Sequence, residues 1–287
     1  MAIALPWMWE TEKQWADEDM LQGANTEGCA AMNVEFSRTR AERYALATNS
    51  APEARNAEIQ KLTGILQRLG IAACDRIVEL GAGHGFATVA LTNFLAPNGV
   101  VLAVDNSPYM ADHIRPHNHI RPMVASFSSL EIETGTAELV VSLATFHHIT
   151  HKTLVLQEAK RVLLPGGHIV IADVYHETPV QRFFDHVVRK YCSEGHDWDF
   201  LDAPFMEILA RRVGMRHLDS WVEPTDWRFT DEDTMLKYLS NLTSLELGIA
   251  DLKPLVDEWL QPQRDADRGS ILLPWSLGFH VLGGKSA

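Results

Sequence analysis

The stretch Arg76-Ile-Val-Glu79-Leu-Gly81-Ala-Gly83-His84-Gly85-Phe86 changes character halfway along. Its first five residues are β-rich, and three glycines then follow at alternate positions. The pattern reads as a strand entering a tight turn, with helical periodicity after it over residues 86–95. Glycines let a backbone come close to a ligand, and the start of a helix offers unpaired N–H groups. A dinucleotide fingerprint, G-x-G-x-x-G, would need glycine where Phe86 stands. The acid Glu79, two residues before Gly81, would repel a pyrophosphate but welcome an amino-acid ammonium.

Outward from this turn, strands and helices alternate. Residues 54–69 carry apolar side chains at helical spacing and stop at Gly70. Residues 100–105, 138–145 and 167–174 are nearly continuous apolar runs, as expected of parallel strands covered on both faces. Residues 122–126 supply a short third strand, and 151–163 a helix closed by Pro165-Gly-Gly167. Asp105 ends the second strand 24 residues after Gly81, where a carboxylate can accept both hydroxyls of a ribose. The spacing predicts a Rossmann-like α/β fold with a doubly wound, mostly parallel sheet.

Beyond residue 174 the rhythm breaks. Helical patterns cover 178–191, 204–213 and 230–247, a strand pattern covers 215–222, and strand character returns over 271–282. The expected organisation is one domain over 1–287. It comprises an N-terminal helical extension (1–70), a cofactor-binding core (74–175), helical cap insertions (176–270) and a closing strand (271–284). Six of the eight tryptophans, Trp7, Trp9, Trp15, Trp198, Trp221 and Trp227, fall within residues 1 to about 50 and 178–247. Such side chains suit a lid over an apolar acceptor pocket, or anchors that glue the extension to the core.

Composition narrows the partners. The 287 residues carry 38 acidic against 25 basic side chains, a net charge of −13, which disfavours nucleic acid. No apolar run approaches the roughly 18 residues of a membrane span, and residues 1–10 lack the basic and apolar segments of a secretory signal. Cys29, Cys74 and Cys192 are few, odd in number and far apart, which suits free thiols in a reducing, cytoplasmic setting. The repeated His-Ile-Arg-Pro around His113, His117 and His119 reads as an exposed loop rather than a metal site. No metal is expected there or at His147, His148 and His151, because adjacent histidines on one turn point apart.

With these motifs in order, residues 76–174 resemble class I S-adenosylmethionine-dependent methyltransferases, particularly the small-molecule type 11 group. Residues 76–86 look like their first motif, 101–108 like the ribose motif, 138–149 like the fourth strand with its His-His ending, and 158–167 like the helix and turn before the fifth strand. The resemblance implies S-adenosyl-L-methionine as cofactor, held by Glu79, Gly81, Gly83, Asp105, Asn106, Ser126, Phe127 and Leu143. Ser126 stands where relatives usually carry an adenine-contacting aspartate. Segment Glu194-Gly-His-Asp197 is loosely similar to the substrate cap of some relatives.

The candidates for handling a proton are His147 and His148 at the end of the fourth strand and His176 after the fifth, all on the ligand-binding edge of such sheets. Methyl transfer to a small, partly apolar metabolite at oxygen, nitrogen or carbon is the expected activity, with a homodimer as a possible assembly. The alternatives are an enzyme that keeps the cofactor but runs another reaction, such as a cyclisation, and a non-catalytic cofactor-binding subunit.

Overall fold

The computed structural model describes residues 36–192, 198–266 and 269–283. Trp7, Trp9, Trp15, Cys29 and Glu194-Gly-His-Asp197 lie outside the described residues. Five parallel strands carry the apolar runs: β1 (Cys74–Leu80), β2 (Leu95–Asp105), β3 (Ile120–Val124), β4 (Ala137–Leu143) and β5 (Leu163–Asp173). Two more, β6 (Arg216–Pro224) and, later in the chain, Ser276–Gly283, complete a seven-stranded sheet. A small antiparallel sheet is made of β7 (Trp227–Phe229), β8 (Gln263–Arg264) and β9 (Ile271–Leu273), so the segment Ser276–Gly283 is β10. The large sheet runs β3-β2-β1-β4-β5-β10-β6, with β10 antiparallel to both neighbours.

Successive side chains of a strand point to opposite faces, and the core divides accordingly. Ile77, Leu139, Val141, Val170 and Ala172 feed one face, packed by helices Asn56–Arg68 and Glu232–Leu242. Val78, Val140, Ile169 and Ile171 feed the other, packed by helices Lys152–Val162 and Ala203–Arg212. The expected alternation of strands and helices is therefore present, with both faces covered.

Several boundaries differ from the sequence reading, for identifiable reasons. The third strand begins two residues earlier than 122, because β3 pairs only with β2. On an edge strand Pro122 need not donate to a neighbour, so the proline does not interrupt it. The turn Pro97-Asn-Gly99 is drawn into the start of β2 as an irregularity between the pairs Cys74–Leu95 and Arg76–Val100. The helix expected over 86–95 shrinks to Thr88–Leu91 and a 3-10 turn, Thr92–Phe94. The expected closing strand is split at Pro274: β9 joins the small sheet, and only β10 closes the large one.

The cap is more broken than its periodicity implied. The helix over 178–191 starts on a Thr178 cap, then widens to a π-helical turn, Phe184–Val188, before Arg189–Tyr191. The single helix read over 230–247 ends at Leu242, with Ser244 in the left-handed region (φ 53°). A further helix, Ile249–Trp259, follows. Among the described residues no helix is long and apolar enough to cross a membrane.

Candidate functional site

The C-terminal ends of β1, β2, β4 and β5 open on one edge, where ligands bind in sheets of this kind. After β1 the chain passes through Gly81, Gly83 and Gly85 at φ 76°, 55° and 84°, a region that favours glycine. A Cβ on Gly81 would overlap the Thr145 side chain, whereas one on Gly83 would meet only Met110 Cε at 3.4 Å. Thr145 belongs to the turn after β4, and its hydroxyl donates to the carbonyls of Gly81 and Leu143, both at 3.2 Å. Gly81 is thus constrained by the protein itself, and Gly83 mainly by its backbone conformation.

The loop's amides are largely committed within the protein. Gly81 and Ala82 donate to the Val104 carbonyl at 2.8 and 3.0 Å, and Gly85 donates to Ala82 at 2.8 Å. Gly83 N–H donates to Asp105 Oδ2 at 2.8 Å, and Ser107 N–H donates to Asp105 Oδ1 at 2.9 Å. Asp105 therefore ties the end of β2 to the glycine turn. Burial pushes its carboxyl above the ordinary range, against the lowering effect of the Ser107, Gly83 and Asn106 amides. With one N–H on each oxygen, each oxygen keeps an acceptor direction for a hydroxyl.

Glu79 is buried beneath the turn and takes a hydrogen bond from the Thr88 hydroxyl at 2.5 Å. Burial raises this carboxyl to about 8; the Thr88 bond opposes the rise and the Asp105 charge adds to it. Without a cation nearby the group is mainly protonated at neutral pH. Asn106 is half-buried on the loop after β2, beside Asp105. Past β3, Ser126 is half-buried with its hydroxyl 3.1 Å from that of Ser128, and Phe127 is buried. Leu143 is buried at the end of β4.

Beyond β4 the 3-10 turn Phe146–His148 carries the histidine pair. His147 is buried, its backbone N–H donating to Asp173 Oδ2 at 2.9 Å and its ring Nδ1 lying 2.6 Å from Asp173 Oδ1. Asp173 ends β5 and also accepts Val174 N–H at 2.7 Å. Burial alone would raise this carboxyl, but the His147 charge and the bonds from His147 and Val174 outweigh it and hold it below the ordinary value. An ionised acceptor requires a donor opposite, so Nδ1 carries the ring's proton and a neutral His147 has its lone pair on Nε2.

Around this pair stands an aromatic wall. Phe200 and Phe184 lie 5.6 and 6.2 Å from the His147 ring, and Trp198 lies 5.4 Å from Phe184. Phe184 opens the π-helical turn, a local widening often found at functional sites. His148 is half-buried and meets Phe36 edge-on at 5.8 Å. His176 is exposed, its backbone N–H donating to Leu201 at 3.0 Å, and among the described residues no contact joins its side chain to the pair. Trp221 stacks on Phe279 of β10 at 6.0 Å, and Trp227 is buried against Trp275 at 3.9 Å. Of Trp198, Trp221 and Trp227, only Trp198 joins the wall.

Helix Arg38–Ser50 lies across the same edge. The Phe36 carbonyl just before it accepts the Ser107 hydroxyl at 2.8 Å, and Tyr44 meets the His84 ring edge-on at 4.8 Å. Arg43 donates to the carbonyls of Ser240 and Leu245 at 2.9 and 3.0 Å, binding this helix to the cap. Extension and cap therefore meet over the described part of the edge. Sequence reasoning missed Asp173 and Thr88; for Asp173 the available signal was an acid ending a strand, as Asp105 does.

Comparison with known proteins agrees with this fold. A family model described as a methyltransferase domain matches residues 78–171. An uncharacterized 37.1 kDa protein in transposon Tn4556 of Streptomyces fradiae is 26% identical over 54% of this chain and 39% of its own length. The chloroplastic 2-methyl-6-phytyl-1,4-hydroquinone methyltransferase of Spinacia oleracea is 28% identical over 48% of this chain and 41% of its own. The chain thus spans about two fifths of the length of these relatives. In structure it is similar to phosphoethanolamine N-methyltransferase 2 of Haemonchus contortus in complex with S-adenosyl-L-methionine, at a TM-score of 0.57, 18% identity, 88% of this chain and 59% of that one. Residues 78–171 of this chain match a methyltransferase domain.

Proposed function

We propose that the protein transfers a methyl group from S-adenosylmethionine to a small, partly apolar acceptor at oxygen, nitrogen or carbon. The observation that carries this reading is the Asp105 carboxylate, fixed between the glycine turn and the loop after β2 by one backbone N–H on each oxygen. In this reading Asp105 takes the ribose hydroxyls, and the amino-acid end follows Gly81 and Gly83 above Glu79. The adenine lies by Ser126 and Phe127, with Asn106 and Leu143 flanking it. Glu79 supports the fit, because a carboxyl held protonated by burial gains most when a ligand ammonium arrives beside it.

Bound S-adenosylmethionine supplies a methyl group on a sulfonium, activated for in-line displacement. The chain's own task is mainly placement and exclusion of water. The wall of Phe184, Trp198 and Phe200 holds an apolar part of the acceptor and keeps water from the reacting centre. His147 Nε2 takes the proton that an O–H, N–H or C–H acceptor loses on methylation, and Asp173 holds the ring in the tautomer that can do so. His148 lines the same side, and His176 serves at most the outer rim.

Incubation of the full chain with S-adenosylmethionine and candidate acceptors, followed by assay of S-adenosylhomocysteine, tests the reading. A hydroquinone with an apolar chain, as in the name of the spinach relative, is the first acceptor to try. Acceptor-dependent S-adenosylhomocysteine is the expected result. Tight cofactor binding with no transfer to any acceptor would instead favour a cofactor-binding subunit.

A further inference from the structure

The sheet edge opposite the candidate site, where β4 and β5 begin, holds a cavity of about 640 Å³. That volume suits a small organic molecule. Buried Leu163 and Val213 give it an apolar floor, and Lys160, Arg161 and Arg212 stand around it. Helices Lys152–Val162 and Ala203–Arg212 both end here. Two of the cations are already engaged within the protein. Lys160 Nζ donates to the Val213 carbonyl at 2.6 Å, one of the carbonyls left over at a helix end. Arg161 donates to both oxygens of Glu158 at 2.7 Å and to the Thr134 hydroxyl at 2.8 Å. Arg212 differs. Among the described residues no hydrogen bond or ion pair engages its guanidinium, whereas Arg211 beside it lies 3.7 Å from Glu207.

Glu158 offsets the charge of Arg161, which leaves Lys160 and Arg212. Against these, each helix end returns about half a negative charge. The cavity therefore stays positive on a chain whose net charge is −13. We propose that it binds the phosphate monoester of a small organic molecule, at a site separate from the cofactor edge. Arg212 takes two phosphate oxygens side by side, the pairing that suits a planar guanidinium. Lys160 supplies a point charge, and the organic part rests on Leu163 and Val213. A phosphate monoester carries roughly two negative charges at neutral pH, more than a carboxylate or a sulfate ester. Once bound, the ester ties together two helices whose other ends follow the His147–His148 turn and Phe200.

Phenyl phosphate, titrated into the full chain by calorimetry and followed by hydrogen exchange, tests the site. Saturable binding to one site is expected, with slower exchange at the C-terminal ends of both helices. Arg212→Gln should weaken binding about tenfold, and Arg212→Lys should restore part of the loss. Arg211→Gln, which removes a like charge next door, should leave the affinity within about twofold. Both arginines are exposed, so neither variant threatens the fold. Phenyl sulfate, of the same shape but lower charge, should bind more weakly. Absence of saturable phenyl phosphate binding overturns the proposal, as does unchanged affinity in Arg212→Gln. Equal losses in the Arg211 and Arg212 variants, or equal affinity for phenyl sulfate, would also overturn it, by showing general attraction to surface charge. So would protection centred on the glycine turn, since the ester would then occupy the other edge.

Discussion

Asp173 grips His147 at two points, the backbone N–H at 2.9 Å and the ring Nδ1 at 2.6 Å, so one carboxylate fixes both the turn after β4 and the ring it carries. Asp105 does the same mechanical work at the end of β2, where it holds Gly83 and Ser107. Two strand-end aspartates thus brace two halves of the same sheet edge.

Asp173→Asn removes the charge that selects the His147 tautomer. We expect kcat to fall about 100-fold while cofactor affinity stays within a few fold, with the acid limb of the pH–rate profile displaced. Because the folded pKa of Asp173 is depressed, its stabilisation is present above about pH 4 and lost as pH falls through the folded value. Steady-state rates and melting temperatures across pH check both parts; an unchanged pH profile would remove Asp173 from a positioning role.

Glu79, raised to about 8, has the opposite sign. The folded state binds its proton more tightly than the unfolded state, so its contribution is greatest below about pH 4.3 and is lost as pH rises through about 8. Glu79→Gln should flatten the decline in melting temperature of the free protein between about pH 4.3 and about pH 8. Binding of S-adenosylmethionine near pH 7 should release roughly one proton, read as a dependence of calorimetric heat on buffer ionisation enthalpy. No such dependence in the wild type would show that the ligand's ammonium does not reach Glu79.

Asp105→Ala should raise the dissociation constant for S-adenosylmethionine more than tenfold, about 1.5–3 kcal/mol, through loss of charge-assisted bonds to the ribose. Calorimetry that finds the affinity unchanged would reject the ribose assignment.

Substitutions at the two glycines should part company. Gly81→Val forces a side chain into Thr145 as well as into a left-handed backbone, and the fold itself should suffer. Gly83→Val meets only Met110 at 3.4 Å, so the protein should remain folded by circular dichroism while cofactor binding is lost. Retained tight binding by the Gly83 variant would mean that the turn does not approach the ligand.

Arg43→Ala releases the two carbonyls through which helix Arg38–Ser50 holds the cap. Hydrogen exchange in that helix should rise, and turnover should fall while cofactor affinity stays within a few fold. Faster exchange with normal turnover would make the helix a structural strap and not a lid.

The cofactor half was the legible part of the chain. Parallel strands covered on both faces must be continuous apolar runs, and β1, β2, β4 and β5 announce themselves that way. Glu79, Asp105 and His147 could be picked out because each interrupts or ends such a run with a charged or titratable group. Asp173 has the same signature but was read only as the tail of its strand, since its partner lies 26 residues earlier in sequence. The cap was harder. Pro254 inside helix Ile249–Trp259 mimics a break, and the π-helical turn at Phe184 depends on packing rather than local propensity. His84 was quoted as a loop residue, and only the approach of Tyr44 and His113 from distant segments gives its ring a setting.

The antiparallel strand β10 has a consequence for biosynthesis. In the large sheet β6 pairs with β10 alone, and β10 also covers the free edge of β5. A nascent chain that has emerged only as far as residue 275 therefore holds two open strand edges at once, one of them on the cofactor-binding core. Exposed edges of this kind recruit other chains. Holding such a chain back from its neighbours until residues 276–283 have left the ribosome becomes work for a chaperone, and a premature stop anywhere in those eight residues should send the product to aggregation rather than to a smaller working enzyme.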